Sequence, residues 1–82
     1  MNAELQGFPN IEIDSTRVNG QPCIRGTRIT VKRALEALAL YPNRQELQSE
    51  YPELTDSIIP EVLSFAAQLM DDNIVVREKL VK

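Results

Sequence analysis

The stretch Asn19-Gly20-Gln21-Pro22-Cys23-Ile24-Arg25-Gly26-Thr27-Arg28-Ile29-Thr30-Val31 decides how this chain folds. It holds two of the three glycines and the single cysteine. Asn19-Gly20 is a strong turn dipeptide, because both residues tolerate positive φ. Pro22 fixes its own φ and drives Gln21 towards an extended conformation. Pro22 to Ile24 therefore reads as a short extended segment. Gly26-Thr27 turns the chain again, and Thr30 is placed to cap a helix beginning at Val31. Extended backbone thus gives way to helix inside one short stretch.

Upstream, Asn10-Ile11-Glu12-Ile13-Asp14 alternates polar and apolar residues, the period of a strand, with Ile11 and Ile13 on one face. This strand and the segment around Pro22 form a small ribbon, with the Asn19-Gly20 turn inside it. Residues 1–9 have no period and read as a flexible N-terminal tail.

Downstream, Val31, Ala34, Leu35 and Leu38 make one apolar helical stripe, and Pro42 ends it. Asn43, with Glu46 three residues on, opens a second, short helix that carries Leu47 and Tyr51 on one side and closes at Pro52. In the third helix Ile58, Val62, Phe65 and Leu69 form a stripe, widened by Ile59, Leu63, Ala66 and Met70. Its start depends on Pro60. With Thr55 as cap, Pro60 would forfeit an intrahelical bond; with Ser57 as cap it falls among the first residues, whose N–H groups have no such bond. A start at Ser57 or a distorted first turn follows. Asp71-Asp72-Asn73 reads as a helix stop. After it, Ile74-Val75-Val76 favours strand, with helix continuation the alternative. The chain is thus one mainly α domain over residues 10–70. It has a three-helix, helix-turn-helix core, a short N-terminal β-ribbon and a C-terminal segment over 71–82 that meets a partner or a second copy.

Gly20-x-Pro22-x-Ile24-x-Gly26-Thr27-Arg28-Ile29-x-Val31, followed by Tyr51-Pro52-x-Leu54-Thr55, resembles the signature of the domain-of-unknown-function-433 family. These are small bacterial and archaeal proteins, often regarded as antitoxins of toxin–antitoxin pairs. The resemblance covers residues 10–70. It implies a homeodomain-like three-helix fold and a cognate toxin as partner, with a PIN-like ribonuclease as candidate. It also implies neutralisation through a terminal segment, by strand addition or by a helix in a groove. Ile74, Val75, Val76 and Leu80 are the candidate toxin contacts. Gly20, Pro22, Gly26 and Thr27 are the structural motif. The chain departs from the family pattern near Tyr41, where a glycine is usual.

Composition narrows the chemistry. The 82 residues include no histidine and one cysteine. Ser–His and Cys–His nucleophile pairs are therefore absent, and a structural zinc site has no ligand set. Gly20 and Gly26 lack the Lys-Ser/Thr pair of a phosphate-binding loop. Neither an enzyme nor a cofactor is expected. A lone cysteine fits a reducing cytoplasm. The N-terminus has no signal-peptide pattern, and no apolar run reaches membrane-spanning length. Cys23 reads first as a small buried hydrophobe and second as a thiol beside Arg25.

The formal net charge is −3, unevenly spread. Residues 15–33 carry Arg17, Arg25, Arg28, Lys32 and Arg33 with no acid, while residues 34–72 carry Arg44 against eight acids. The basic half could meet DNA, or each half could answer the other in a dimer. The first turns of the third helix, Asp56 to Glu61, offer no cation to phosphate or guanine, so standard readout by that helix is not expected. Arg25, Arg28, Lys32 and Arg33 are the candidate DNA contacts. For Arg25 and Arg28 a structural role is the alternative: an arginine in this turn can bond Glu12, Asp14 or a free carbonyl and fix the ribbon. A homodimer is expected, because the chain is short for a self-sufficient core and the third helix is apolar over more than one stripe. Two readings result. One is an antitoxin-like regulator that binds a toxin and, as a dimer, operator DNA. The other is a dimeric interaction module on the same scaffold without nucleic-acid binding.

Overall fold

The computed structural model describes residues 2–4, 7–16 and 18–81, with side chains described for 7–16 and 18–71. Strands β1 (Asn2–Glu4), β2 (Ile11–Asp14) and β3 (Pro22–Ile24) precede helices α1 (Val31–Leu40), α2 (Arg44–Glu50) and α3 (Ile58–Val81). The chain is mainly α with a short β element, as expected. The ribbon gains a third strand from the stretch read as a tail. The antiparallel order is β1-β2-β3, and β1 pairs Asn2 with Asp14 and Glu4 with Glu12. Phe8, from the same stretch, meets Phe65 edge to face at 5.2 Å. A short segment needs no internal period when an existing strand edge and an aromatic contact supply its bonds.

β3 pairs Ile24 with Ile11 and Pro22 with Ile13. Pro22 stands first on an edge strand, where its missing N–H costs no ladder bond. The turn before it is left-handed throughout, with φ of 48° at Val18, 57° at Asn19 and 72° at Gly20. Gln21 N–H donates to the Val18 carbonyl at 3.1 Å. Asn19 and Gly20 suit this geometry, whereas a β-branched valine there is strained. Beyond β3, Thr27 N–H closes on the Ile24 carbonyl at 3.0 Å, with Gly26 at φ 79°. Positive φ at the third position is what a type II turn demands. The Thr27 hydroxyl donates to the Ile24 carbonyl at 2.8 Å and accepts from Ile29 N–H at 3.0 Å.

Thr30 caps α1, its Oγ1 accepting from Arg33 N–H at 2.9 Å, and Asn43 caps α2, its Oδ1 accepting from Glu46 N–H at 3.0 Å. Both helices stop at a Tyr-Pro pair, because the residue before proline is pushed to extended backbone. Tyr41 has φ −119° and Tyr51 φ −130°, so neither position needs glycine. Their rings meet at 6.5 Å. α3 begins at Ile58, the late start that keeps Pro60 in the first turn. It does not stop at Asp71-Asp72-Asn73 but continues to Val81. Acids near a helix end oppose the dipole, but in mid-helix that penalty is absent.

The core is Ile11 and Ile24 from the sheet, Val31, Ala34 and Ala37 from α1, Leu47 from α2, Leu54, and Ile59, Val62 and Phe65 from α3. The buried stripes are rotated from those expected. On α1, Ala37 is buried while Leu35 and Leu38 flank the core, because small alanines let α1 approach its neighbours. On α3, Ile59 replaces Ile58, and Leu69 stands half exposed.

Candidate functional site

The four basic candidates separate into two groups. Arg25 is committed to the fold. Its Nε donates to the Pro9 carbonyl at 2.9 Å, and its Nη1 lies 3.3 Å from Glu12 Oε1. Glu12 is a buried carboxylate on β2, so this pair ties the turn after β3 across the sheet. Of the two acids open to Arg25, Glu12 is the partner. Asp14 instead accepts from the Thr16 hydroxyl at 2.6 Å and the Thr16 N–H at 2.9 Å. The Thr16 hydroxyl bond first, and its backbone bond second, hold the Asp14 carboxyl below its ordinary range.

Arg28, Lys32 and Arg33 remain on the surface, on and just before the first turn of α1. Arg28 makes no hydrogen bond or ion pair among the described residues. Lys32 Nζ lies 3.1 Å from one oxygen of Glu36, and Arg33 Nη1 lies 3.8 Å from the other. Exposed pairs of this kind are worth under about 1 kcal/mol and yield readily to a phosphate. Three exposed cations with one acid between them, beside a helix N-terminus, form a small basic patch.

Cys23 is buried, and its Sγ lies 3.4 Å from the Gln21 carbonyl, which suits the small-hydrophobe reading. Gly20, Pro22, Gly26 and Thr27 occupy the turns and strand start described above. Ile74, Val75, Val76 and Leu80 fall in the last turns of α3, and their side chains lie outside the described residues.

A family model described as a protein of unknown function, DUF433, matches residues 11–66. The chain belongs to the DUF433 family. No curated protein and no solved structure matches it. The DUF433 match runs from the first residue of β2 to Ala66 on α3. It therefore includes the basic patch and excludes the last turns of α3. Among the described residues, no helix is long and apolar enough to cross a membrane.

Two features were not anticipated from the sequence. Glu61, in the first turn of α3, accepts from Asn10 N–H at 2.6 Å and from Asn10 Nδ2 at 2.9 Å, one bond to each oxygen. The partners lie 51 residues apart, so no local pattern announces them. The second is an apolar groove of about 320 Å³ between β3, α1 and α3. It is lined by Gln21 and Pro22, by Val31, Lys32 and Leu35, and by Phe65, Ala66, Leu69 and Met70. The wide apolar stripe of α3 was the one available hint of it. At the other end of α3, Asp56 accepts from Gln48 Nε2 and Arg44 Nη1, each at 3.0 Å. Those bonds, Gln48 first, hold its carboxyl below the ordinary range and join α2 to the start of α3.

Proposed function

We propose that this chain is a non-catalytic, antitoxin-like regulatory protein that holds a cognate toxin through the C-terminal half of α3. A PIN-like ribonuclease is the candidate toxin. The observation that carries this reading is the continuity of α3. The helix runs unbroken from Ile58 to Val81, while Phe65 is its last buried residue among those described. Past Phe65 the helix continues through an apolar sequence, Ile74, Val75, Val76 and Leu80, that suits a partner's surface. Its helical form supports docking in a partner's groove over strand addition.

A chain ending at Met70 tests this. It should keep its helical signal and its oligomeric state yet lose the toxin in a pull-down against the product of the neighbouring reading frame. A truncated chain that unfolds, or still retains the toxin, refutes the assignment.

The exposure of Arg28, Lys32 and Arg33 favours a second activity, contact with operator DNA. Their positions suit phosphate, not base edges, so readout would come from placement of the patch. Replacing all three by alanine should weaken binding to every DNA sequence alike. It should also flatten the slope of log affinity against log salt by about 2.7, the release expected for three phosphate contacts. Fluorescence anisotropy over a salt series measures both. Wild-type chain that binds no upstream DNA, alone or with its toxin, leaves the interaction-module reading without nucleic acid.

A further inference from the structure

We infer that α3 meets its toxin along one stripe, Leu69, Asn73, Val76 and Leu80, and that Ile74 and Val75 take no part. This rests on the toxin reading above and narrows it. α3 is one continuous helix from Ile58 to Val81, so its register carries over from the packed part to the rest. Ile59, Val62 and Phe65 are buried and mark the side of the helix that meets the core. At 3.6 residues per turn, positions 69, 73, 76 and 80 fall within about 40° of Val62. Positions 74 and 75 fall about 120° and 140° away, one to either side. That is the side of Ser64, Ala67, Gln68 and Asp71, all of them exposed. The stripe that meets the core therefore runs on past Phe65, with three apolar positions and one polar one. Leu69, its first member, is already 48% exposed.

Spacing and charge describe the partner. Steps of four, three and four residues lead from Leu69 to Leu80, the spacing of a seam that settles into a groove between helices. Asn73 interrupts that seam. An amide enclosed by apolar groups needs a hydrogen-bonding partner, and one such position fixes the register of a docked helix. The toxin groove then carries one polar group between two apolar stretches. Charge selects a foreign chain over a second copy. Residues 77–82 hold Arg77, Lys79 and Lys82 against Glu78. Two such ends laid side by side repel, whereas an acidic rim on another protein attracts them.

Calorimetric titration of the full chain with the purified product of the neighbouring reading frame is the test. Val76→Gln with Leu80→Gln should raise the dissociation constant by at least about 100-fold. Ile74→Gln with Val75→Gln alters as many apolar residues at neighbouring positions and should change it by less than about 3-fold. Glutamine is a good helix former, so both pairs preserve α3. Asn73→Leu should weaken binding by about 10-fold, because it leaves the polar group of the groove unpaired. If the stripe pair loses far-UV helical signal, Leu80→Gln alone replaces it and is read the same way. Equal losses from the two pairs, or Asn73→Leu binding as tightly as wild type, overturn the inference while the toxin reading stands. A stripe pair that halves the mass of the free chain in sedimentation yet keeps the toxin also overturns it and gives the stripe to a second copy. Wild type that does not bind the neighbouring product, or a chain ending at Met70 that binds it fully, overturns the toxin reading and this inference together.

Discussion

Leu47→Ala should destabilise the protein by about 2–5 kcal/mol, the range for removing a fully buried leucine. Leu47 is wholly buried and is the one buried residue of α2. A helix of seven residues has no stability of its own in water. What holds it is its caps, its ties to Asp56 and this single apolar anchor. Truncation opens a cavity in the core cluster that Leu47 belongs to and releases α2 at once. In a domain this small each 1 kcal/mol shifts the melting temperature by about 4–8 °C, so a fall of 10 °C or more is expected. Leu40→Ala, at a residue 69% exposed, should stay within about 0.5 kcal/mol of wild type. Thermal melts of the two variants decide the matter. Similar melting temperatures would mean that α2 is held by its polar contacts and not by its core residue.

The second large effect is expected at Glu61. Its two oxygens receive both the backbone and side-chain N–H groups of Asn10, joining the segment before β2 to the first turn of α3. Hydrogen bonds to a charged acceptor contribute about 1.5–3 kcal/mol each, and Glu61→Ala leaves the Asn10 donors without their acceptor. A loss of about 2–4 kcal/mol in urea denaturation follows, after discounting for the half-exposed setting. Glu61→Gln keeps one acceptor oxygen for the Asn10 backbone and should recover part of that loss. In a double-mutant cycle with Asn10→Ala the two changes should be strongly non-additive, because they remove the same contact. Additive effects would show that each residue acts through other neighbours.

Much of the architecture was legible locally. Thr30 and Asn43 could be named as caps because a cap is a short-range contact, closed within three residues. Gly26-Thr27 could be read as a turn because such a turn is closed within four residues. Pro42 and Pro52 marked two helix ends by sterics with the residue directly before each. Pro60 dated the start of α3, since a missing N–H is harmless only in the first turn. Of these positions, Gly26 and Pro52 belong to the DUF433 signature as well.

The tertiary structure decided what local chemistry leaves open. Periodicity named an apolar face on α1 and on α3, but how far each helix rolls depends on how closely its neighbour can approach. Ala37 and Ile59 took buried places that Leu35 and Ile58 were expected to share. Asp71-Asp72-Asn73 resembles a stop only if the helix has reason to end there, and α3 continues through it. β1 formed because β2 offered an edge, and its own three residues carry no period. The division of the basic candidates was settled in the same way. Arg25 and Arg28 are alike in sequence, yet Glu12 and the Pro9 carbonyl lie within reach of Arg25 alone. Sequence by itself determined the turns, the caps and the helix-forming segments, because each is closed by bonds between near neighbours. Only the packed chain decided which arginine is structural, which carboxylate clamps α3 and where an apolar groove stands open, because each depends on residues brought together from distant positions.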